Sequence, residues 1–112
     1  NLVDLMEDDF QITSEITTVA TPGHTPGHVS LLISSNGDRC FVLGDVAHNP
    51  AQAHYTDWNP VFDIQPDISR QTRHRVIDNL EEEGLLVSAG HFPAPGFGKF
   101  VRQGSRRVWQ GL

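Results

Sequence analysis

Residues 21–28, Thr-Pro-Gly-His-Thr-Pro-Gly-His, hold two Pro-Gly pairs within eight positions. Proline lacks a backbone N–H and glycine punctuates regular structure, so neither helix nor strand runs through this stretch. It is a loop, and it carries two imidazoles, His24 and His28. Regular elements flank it on both sides. Ile12 to Ala20 is rich in Ile, Thr and Val, which favours a strand. Val29 to Ser34 reads as a short apolar strand, and Ser35-Asn36-Gly37-Asp38 contains the Asn-Gly pair of a hairpin turn. Arg39 to Leu43 is then the returning strand, which closes on Gly44-Asp45.

Val46 to Gln65 is irregular and aromatic, with Tyr55, Trp58 and Phe62 beside Asn and Pro. One clear helix follows. Pro66 suits its first turn, Asp67 or Ser69 can cap it, and Ile68, Thr72, Val76, Ile77 and Leu80 form an apolar stripe. Gly84 is its natural stop. Leu85 to Ala89 reads as a buried strand that runs into Gly90-His91, and Phe100–Val101 with Arg107–Trp109 form a last hairpin. The order is that of a mixed α/β domain of 112 residues.

The bulk composition excludes several classes. A net charge of −6 argues against nucleic acid or an anionic membrane as a partner. No apolar run approaches the roughly 20 residues that span a bilayer. Cys40 is the single cysteine, sits in an apolar run and is read as a small buried hydrophobe, so no disulfide framework exists. The chain begins with Asn1 and is read as a piece of something longer; its compartment stays open, with the cytoplasm favoured.

Three places share one layout: an apolar strand, a glycine, then a side chain able to bind a metal. They are Gly23-His24, Gly44-Asp45 and Gly90-His91. Two neutral imidazoles and a carboxylate suit zinc and similar divalent ions. Each residue singly is more often structural, and spacing alone leaves a metal site and a hydrogen-bonded structural role evenly balanced. The other histidines take plainer readings. His28 stabilises its loop, His48 could face the cleft three residues after Asp45, His54 lies in the irregular aromatic stretch where substrate contact is the less favoured reading, and His74 lies on the helix surface. Tyr55, Trp58 and Phe62 are read as packing under a long loop, with the lining of a substrate pocket as the open alternative. No P-loop, H-E-x-x-H or G-x-S-x-G elbow occurs.

The loop Thr21–His28, the hairpin, Leu43-Gly44-Asp45 and Gly90-His91 together resemble the second half of the metallo-β-lactamase superfamily. Ala89–Gly98 with the closing hairpin is most similar to its lactonase-like and methyl-parathion-hydrolase-like branch. The resemblance implies half of an αββα sandwich, a mixed sheet with one main helix, with residues 1–112 as the C-terminal half of the domain. It implies that His24 and His91 each complete one metal and that Asp45 bridges the two. The metals would be two Zn2+, with Mn2+, Fe2+ or Co2+ as alternatives, and a hydroxide held between them would attack an ester, lactone or phosphoester of a small-molecule substrate. The family's upstream H-x-H-x-D-H signature does not occur here, so the chain alone is expected to be inactive and poorly metallated. The alternatives are a non-catalytic metal-binding or assembly module, and a domain whose histidines serve only as structure. Half a sandwich also leaves a sheet face uncovered, which predicts a homodimer or swapped assembly through Val29, Leu31, Ile33, Phe41, Leu43, Leu85 and Val87.

Overall fold

The Asn-Gly hairpin forms where the sequence places it. The computed structural model, which describes residues 2–112, pairs β2 (Val29–Ser35) with β3 (Asp38–Val42) across a two-residue turn in which Asn36 and Gly37 both have positive φ, 52° and 86°. Primed turns of this kind match the twist of the strands they join. The complete sheet has six strands in sequence order: β1 (Ile16–Ala20), β2, β3, β4 (Leu86–Ser88), β5 (Phe97–Gln103) and β6 (Arg106–Gly111). All neighbours are antiparallel except β3 and β4, which are joined by helix α1 (Pro66–Glu83) and run parallel. Strands β1, β3 and β4 therefore share one direction, and their C-terminal ends lie on one edge of the sheet.

Helix α1 covers one face of that sheet. Its buried stripe, Thr72, Val76, Ile77 and Leu80, packs with Phe41, Val87 and Phe100, flanked by Val19, Leu32 and Trp109. The registers Leu32↔Phe41, Phe41↔Val87 and Phe100↔Trp109 put these strand residues on a common side. The helix begins without a side-chain cap. Pro66 occupies the first turn after Gln65, Asp67 pairs with Arg70, and Ser69 turns inward to donate to Asp63. Ile68 lies outside the stripe at 39% exposure, and Arg73 takes a core position instead, fully buried. The left-handed Gly84 (φ 62°) closes the last turn with its N–H on Leu80 O and Glu81 O.

The opposite sheet face carries Ile16, Val29, Leu31, Ile33, Cys40, Val42, Leu86, Val101 and Val108, each half-buried. No helix covers it among the described residues. The apolar set expected on the open side thus splits. Val29, Leu31 and Ile33 do lie there, whereas Phe41 and Val87 face α1, and Leu43 and Leu85 belong to the core beneath it. The one-residue offset follows from strand pairing, because Phe41 opposes Leu32 rather than Leu31 and alternate residues point to opposite faces. No helix among the described residues is long and apolar enough to cross a membrane.

Glu81 ties the helix to the last hairpin. It accepts from Arg102 Nε (2.8 Å) and Nη2 (2.9 Å) and from Arg107 Nη1 (3.0 Å). Burial works to raise its pKa, but these guanidinium hydrogen bonds outweigh burial and hold the carboxyl below the usual glutamate range. A depressed folded-state pKa gives stability that is present above the unfolded value of about 4.3 and is lost as pH falls through the folded one. Glu81→Gln is therefore expected to destabilise the chain by about 1–3 kcal/mol at pH 7 in urea titrations. The gap to the parent chain should narrow as pH falls below the unfolded value of about 4.3 and close once pH has passed the lowered folded-state value; a gap that stays constant with pH would reject the assignment.

Candidate metal centre

Loop 21–28 is fixed by its packing on α1. Gly23 has φ 137°, and a Cβ there would lie 2.2 Å from the backbone Cα of Ser69, so only glycine permits this approach. Thr72 Oγ1 donates to Pro22 O (2.7 Å), Gln65 N to Gly23 O (2.9 Å) and Ile64 N to His24 O (3.1 Å). The His24 ring is held in turn. Its Nδ1 donates to Asp63 Oδ1 at 3.0 Å, and the fully buried Asp63 side chain accepts through Oδ2 from Ser69 Oγ (2.6 Å) and Arg73 Nη2 (3.4 Å). A proton committed to Nδ1 leaves the Nε2 lone pair free, and that atom sits 3.6 Å from Asp45 Oδ2.

His28 has no free nitrogen. The backbone N–H of Asp45 donates to its Nε2 (2.9 Å), so the ring proton is on Nδ1, which faces Thr21 Oγ1 (2.9 Å) and Thr21 O (3.0 Å). The chain of donors continues from Thr21 Oγ1 to Ser30 Oγ (2.9 Å) and from there to Leu43 O (3.0 Å). Every proton in this buried series has one direction, and its product is a fixed backbone at Asp45. A Cβ at Gly44, where φ is 62°, would meet the His28 ring at 2.7 Å.

Asp45 leaves β3 in a 3-10 turn (Gly44–Val46) at φ −96°, ψ 22°, a sparsely occupied region that often holds active-site residues. Its Oδ1 accepts from His91 Nε2 at 2.7 Å. His48 Nε2 lies 3.4 Å from the same oxygen, out of line for a hydrogen bond. Both ring nitrogens of His48 are shut off from solvent and have no hydrogen-bond partner among the described residues. Ligand-type atoms of His24, Asp45 and His48 all fall within 4.8 Å of one another. The His48 ring lies 5.1 Å from that of His24 and 4.7 Å from that of His91, and Phe62 presents its ring to both His24 (5.8 Å) and His48 (5.1 Å). Burial lowers the His48 pKa despite the opposing Asp45 charge, which keeps that imidazole neutral. Burial would raise Asp45, but the His91 hydrogen bond and the neighbouring imidazoles pull its carboxyl below the usual range. Neutral imidazoles around an ionised carboxylate are the donor set of a divalent cation. An orphaned buried nitrogen costs about 1–3 kcal/mol, a cost that a bound cation would remove. The residues fit such an ion.

Known proteins were compared against this geometry. No family model matches the chain, and no curated protein matches it. Solved structures do. The dizinc quorum-quenching lactonase AidC, in complex with a product, superposes with a TM-score of 0.87 at 23% identity, over 96% of this chain and 37% of that one. The hydrolase AbOPH of the β-lactamase superfamily gives 0.83 at 26% identity, over 95% of this chain and 36% of that one. A probable metal-dependent hydrolase from Staphylococcus aureus gives 0.82 at 22% identity, over 97% and 39%. The chain has one half of the metallo-β-lactamase fold. It spans a little over a third of the length of these proteins.

Within this metallo-β-lactamase half, the structure places His24 and His91 on either side of Asp45, 3.6 Å and 2.7 Å from its carboxylate oxygens. The rule of a required glycine before each holds for Gly23 and Gly44 but not for Gly90, which has no positive φ and open space around it. His48, for which the sequence left a cleft-facing position open, joins the group because the turn after Asp45 folds it back over the carboxylate. Asp63 and Arg73 were not singled out from the sequence at all. The one available signal was a carboxylate and a guanidinium in otherwise ordinary loop and helix positions. His28 keeps its structural reading, His74 pairs on the surface with Asp57 (2.7 Å), and His54 stays exposed against Tyr55. Tyr55 and Trp58 stack on each other at 4.3 Å and remain exposed, so they do not pack beneath the loop as expected; Phe62 lies against the site.

Arg73→Met keeps the volume but leaves Asp63 buried without its counter-charge and several carbonyls without donors. Loss of one partner of a buried pair costs about 3–5 kcal/mol, and the chemical-denaturation midpoint should fall accordingly. A change below about 1 kcal/mol would mean that Arg73 does not anchor the site.

Proposed function

We propose that this chain is the C-terminal half of a metal-dependent hydrolase that cleaves ester, lactone or phosphoester bonds of small molecules. The observation that carries this reading is the position of one carboxylate between two imidazoles: Asp45 turns Oδ2 to His24 (3.6 Å) and Oδ1 to His91 (2.7 Å). His24, Asp45 and His91 are the proposed ligands, with Asp45 shared between two cations. The lactonase and hydrolases described above support the reaction class.

The protein's own groups have separable tasks. Asp63 fixes the His24 tautomer and orientation, and the His28 series fixes the Asp45 backbone. Asp45 stays ionised, so it offers both oxygens. His48, Gln52, Trp58 and Pro60 wall an open groove beside the cluster in which the apolar part of a substrate is received. His24, Asp45 and His91 would hold a divalent cation, which would supply Lewis acidity and lower the pKa of a water molecule. The residues of the H-x-H-x-D-H signature are not in this sequence, so the chain alone is proposed to be inactive. A second reading, a non-catalytic metal-binding or assembly module, is separated by the same experiment. The product of the complete reading frame and the 112-residue chain are each assayed with zinc, manganese and cobalt against lactone and phosphotriester panels. The longer protein is expected to turn over and its Asp45→Asn variant to lose at least about 10²-fold in kcat/KM, about 2.7 kcal/mol. Metal uptake with no turnover on any substrate would favour the module.

The open face bearing Leu31, Ile33, Val42 and Val101 supports an assembly reading as well. In isolation the chain self-associates through it, as a homodimer or swapped pair. Light scattering should give twice the chain mass at micromolar concentration, and Leu31→Lys should return the monomer; a monomeric parent chain at every concentration would end this reading.

A further inference from the structure

We infer that His48 is a direct metal ligand, and that His24 Nε2, the Asp45 carboxylate and His48 Nε2 let this chain hold one divalent cation by itself. The inference rests on the metal-centre reading above and extends it to a residue outside the ligand set proposed there. Three observations support it. Every other imidazole around Asp45 has a partner: His28 uses both nitrogens, His24 gives Nδ1 to Asp63, and His91 Nε2 bonds Asp45. Among the described residues, His48 alone has both ring nitrogens closed to solvent and without a hydrogen-bond partner.

The spacings are those of groups that can share one cation. Two ligands on one tetrahedral zinc with bonds of about 2.0–2.1 Å lie about 3.3–3.4 Å apart. His48 Nε2 to Asp45 Oδ1 is 3.4 Å and His24 Nε2 to Asp45 Oδ2 is 3.6 Å, both close to that spacing. The backbone that presents His48 is also built in advance. Gln52 Oε1 accepts from the N–H groups of both His48 (2.6 Å) and Asn49 (3.0 Å), while Gln52 Nε2 donates to Trp58 O (2.8 Å). Such locking of a ligand by a second layer of hydrogen bonds is a property of metal sites.

The test is a Co2+ titration of the whole chain by calorimetry and visible absorption, with His48→Phe, His24→Gln and the exposed His54→Phe as variants. The 15N signals of the histidine rings are followed in parallel on addition of Zn2+. One cobalt per chain with a tetrahedral spectrum is expected, weakened about 100-fold or more by His48→Phe, beyond the middle of the 10–100-fold range of outer-layer losses, and unchanged by His54→Phe. The Nε2 signal of His48 in the unsubstituted chain should shift on zinc binding, which decides the matter even where a variant folds poorly. Binding that His24→Gln abolishes but His48→Phe leaves intact, with the His48 ring unmoved, would overturn the inference and spare the metal-centre reading. Absence of binding in the parent chain would likewise overturn the inference alone, and binding indifferent to His24→Gln would overturn both.

Discussion

Arg73 is a guanidinium with no exposure to solvent, and the site side of the molecule is organised around it. Residues 46–63 form no strand, so no sheet ladder satisfies their carbonyls, and buried backbone groups must find partners elsewhere. Arg73 supplies them. Its Nε donates to Val46 O (2.8 Å), and its Nη1 to Thr56 O (3.0 Å), Trp58 O (2.8 Å) and Asn59 Oδ1 (2.8 Å). Lysine could not replace this planar fork of donors. Burial pulls the Arg73 pKa down and the Asp63 charge opposes it, which is why a carboxylate has to be buried beside it. That carboxylate also takes the Nδ1 proton of His24. One buried cation thus orders the loop and, through Asp63, aims the first imidazole of the site. Arg107 repeats the device on the far side, where it reaches Ala53 O (2.9 Å) and Thr56 Oγ1 (3.1 Å) from β6.

The sheet is asymmetric in what it has already buried. The face under α1 is closed by Phe41, Val87, Phe100 and the helix stripe, a core sufficient to order the strands. The other face keeps a continuous set of Val, Leu and Ile side chains half-buried. An antiparallel sheet exposed to water on one side alternates apolar with polar residues, and this one does not. Leu31 and Leu32 are adjacent in β2 and apolar on opposite faces, as are Phe41 and Val42 in β3. Such strands are written for burial on both sides, as in the interior layer of a sandwich.

Much of this was legible in the chain itself. The hairpin announced itself through Asn36-Gly37, the helix through Pro66, its apolar stripe and Gly84, and the loop through its Pro-Gly pairs. The pattern of an apolar strand, a glycine and then His or Asp singled out His24, Asp45 and His91, which lie four, three and three residues past the ends of β1, β3 and β4. What escaped was non-local. The β2–β3 register put Phe41 opposite Leu32, and the parallel register of β3 on β4 put Val87 beside Phe41 under α1, a pairing that neither β3 nor β4 encodes alone. Asp63 is 39 residues from His24, and Arg73 is 27 residues from Val46, so their bonds exist only once α1 has docked. His48 is a third kind of omission: it is three residues from Asp45, but whether a turn folds back or runs on depends on the Gln52 side chain that caps it.

The topology explains why the loop between β1 and β2 has to be long and stiff. Strands β1, β3 and β4 point the same way, so their C-terminal ends share the edge where ligands bind in α/β sheets. Neighbouring strands lie about 4.8 Å apart. Strand β4 is next to β3, close enough for His91 to touch Asp45 from its own strand end. Strand β1 is two places away, roughly 9–10 Å at that spacing, which exceeds the reach of an imidazole fixed at Ala20. The chain therefore carries His24 inward on the loop, four residues past the end of β1. A loop with that much freedom would not aim a side chain by itself. Gly23 against Ser69, the strap from Thr72 and the Asp63 hydrogen bond remove that freedom, and each of them depends on α1. The helix that covers one face of the sheet is thus also the part that brings the most distant donor into the site.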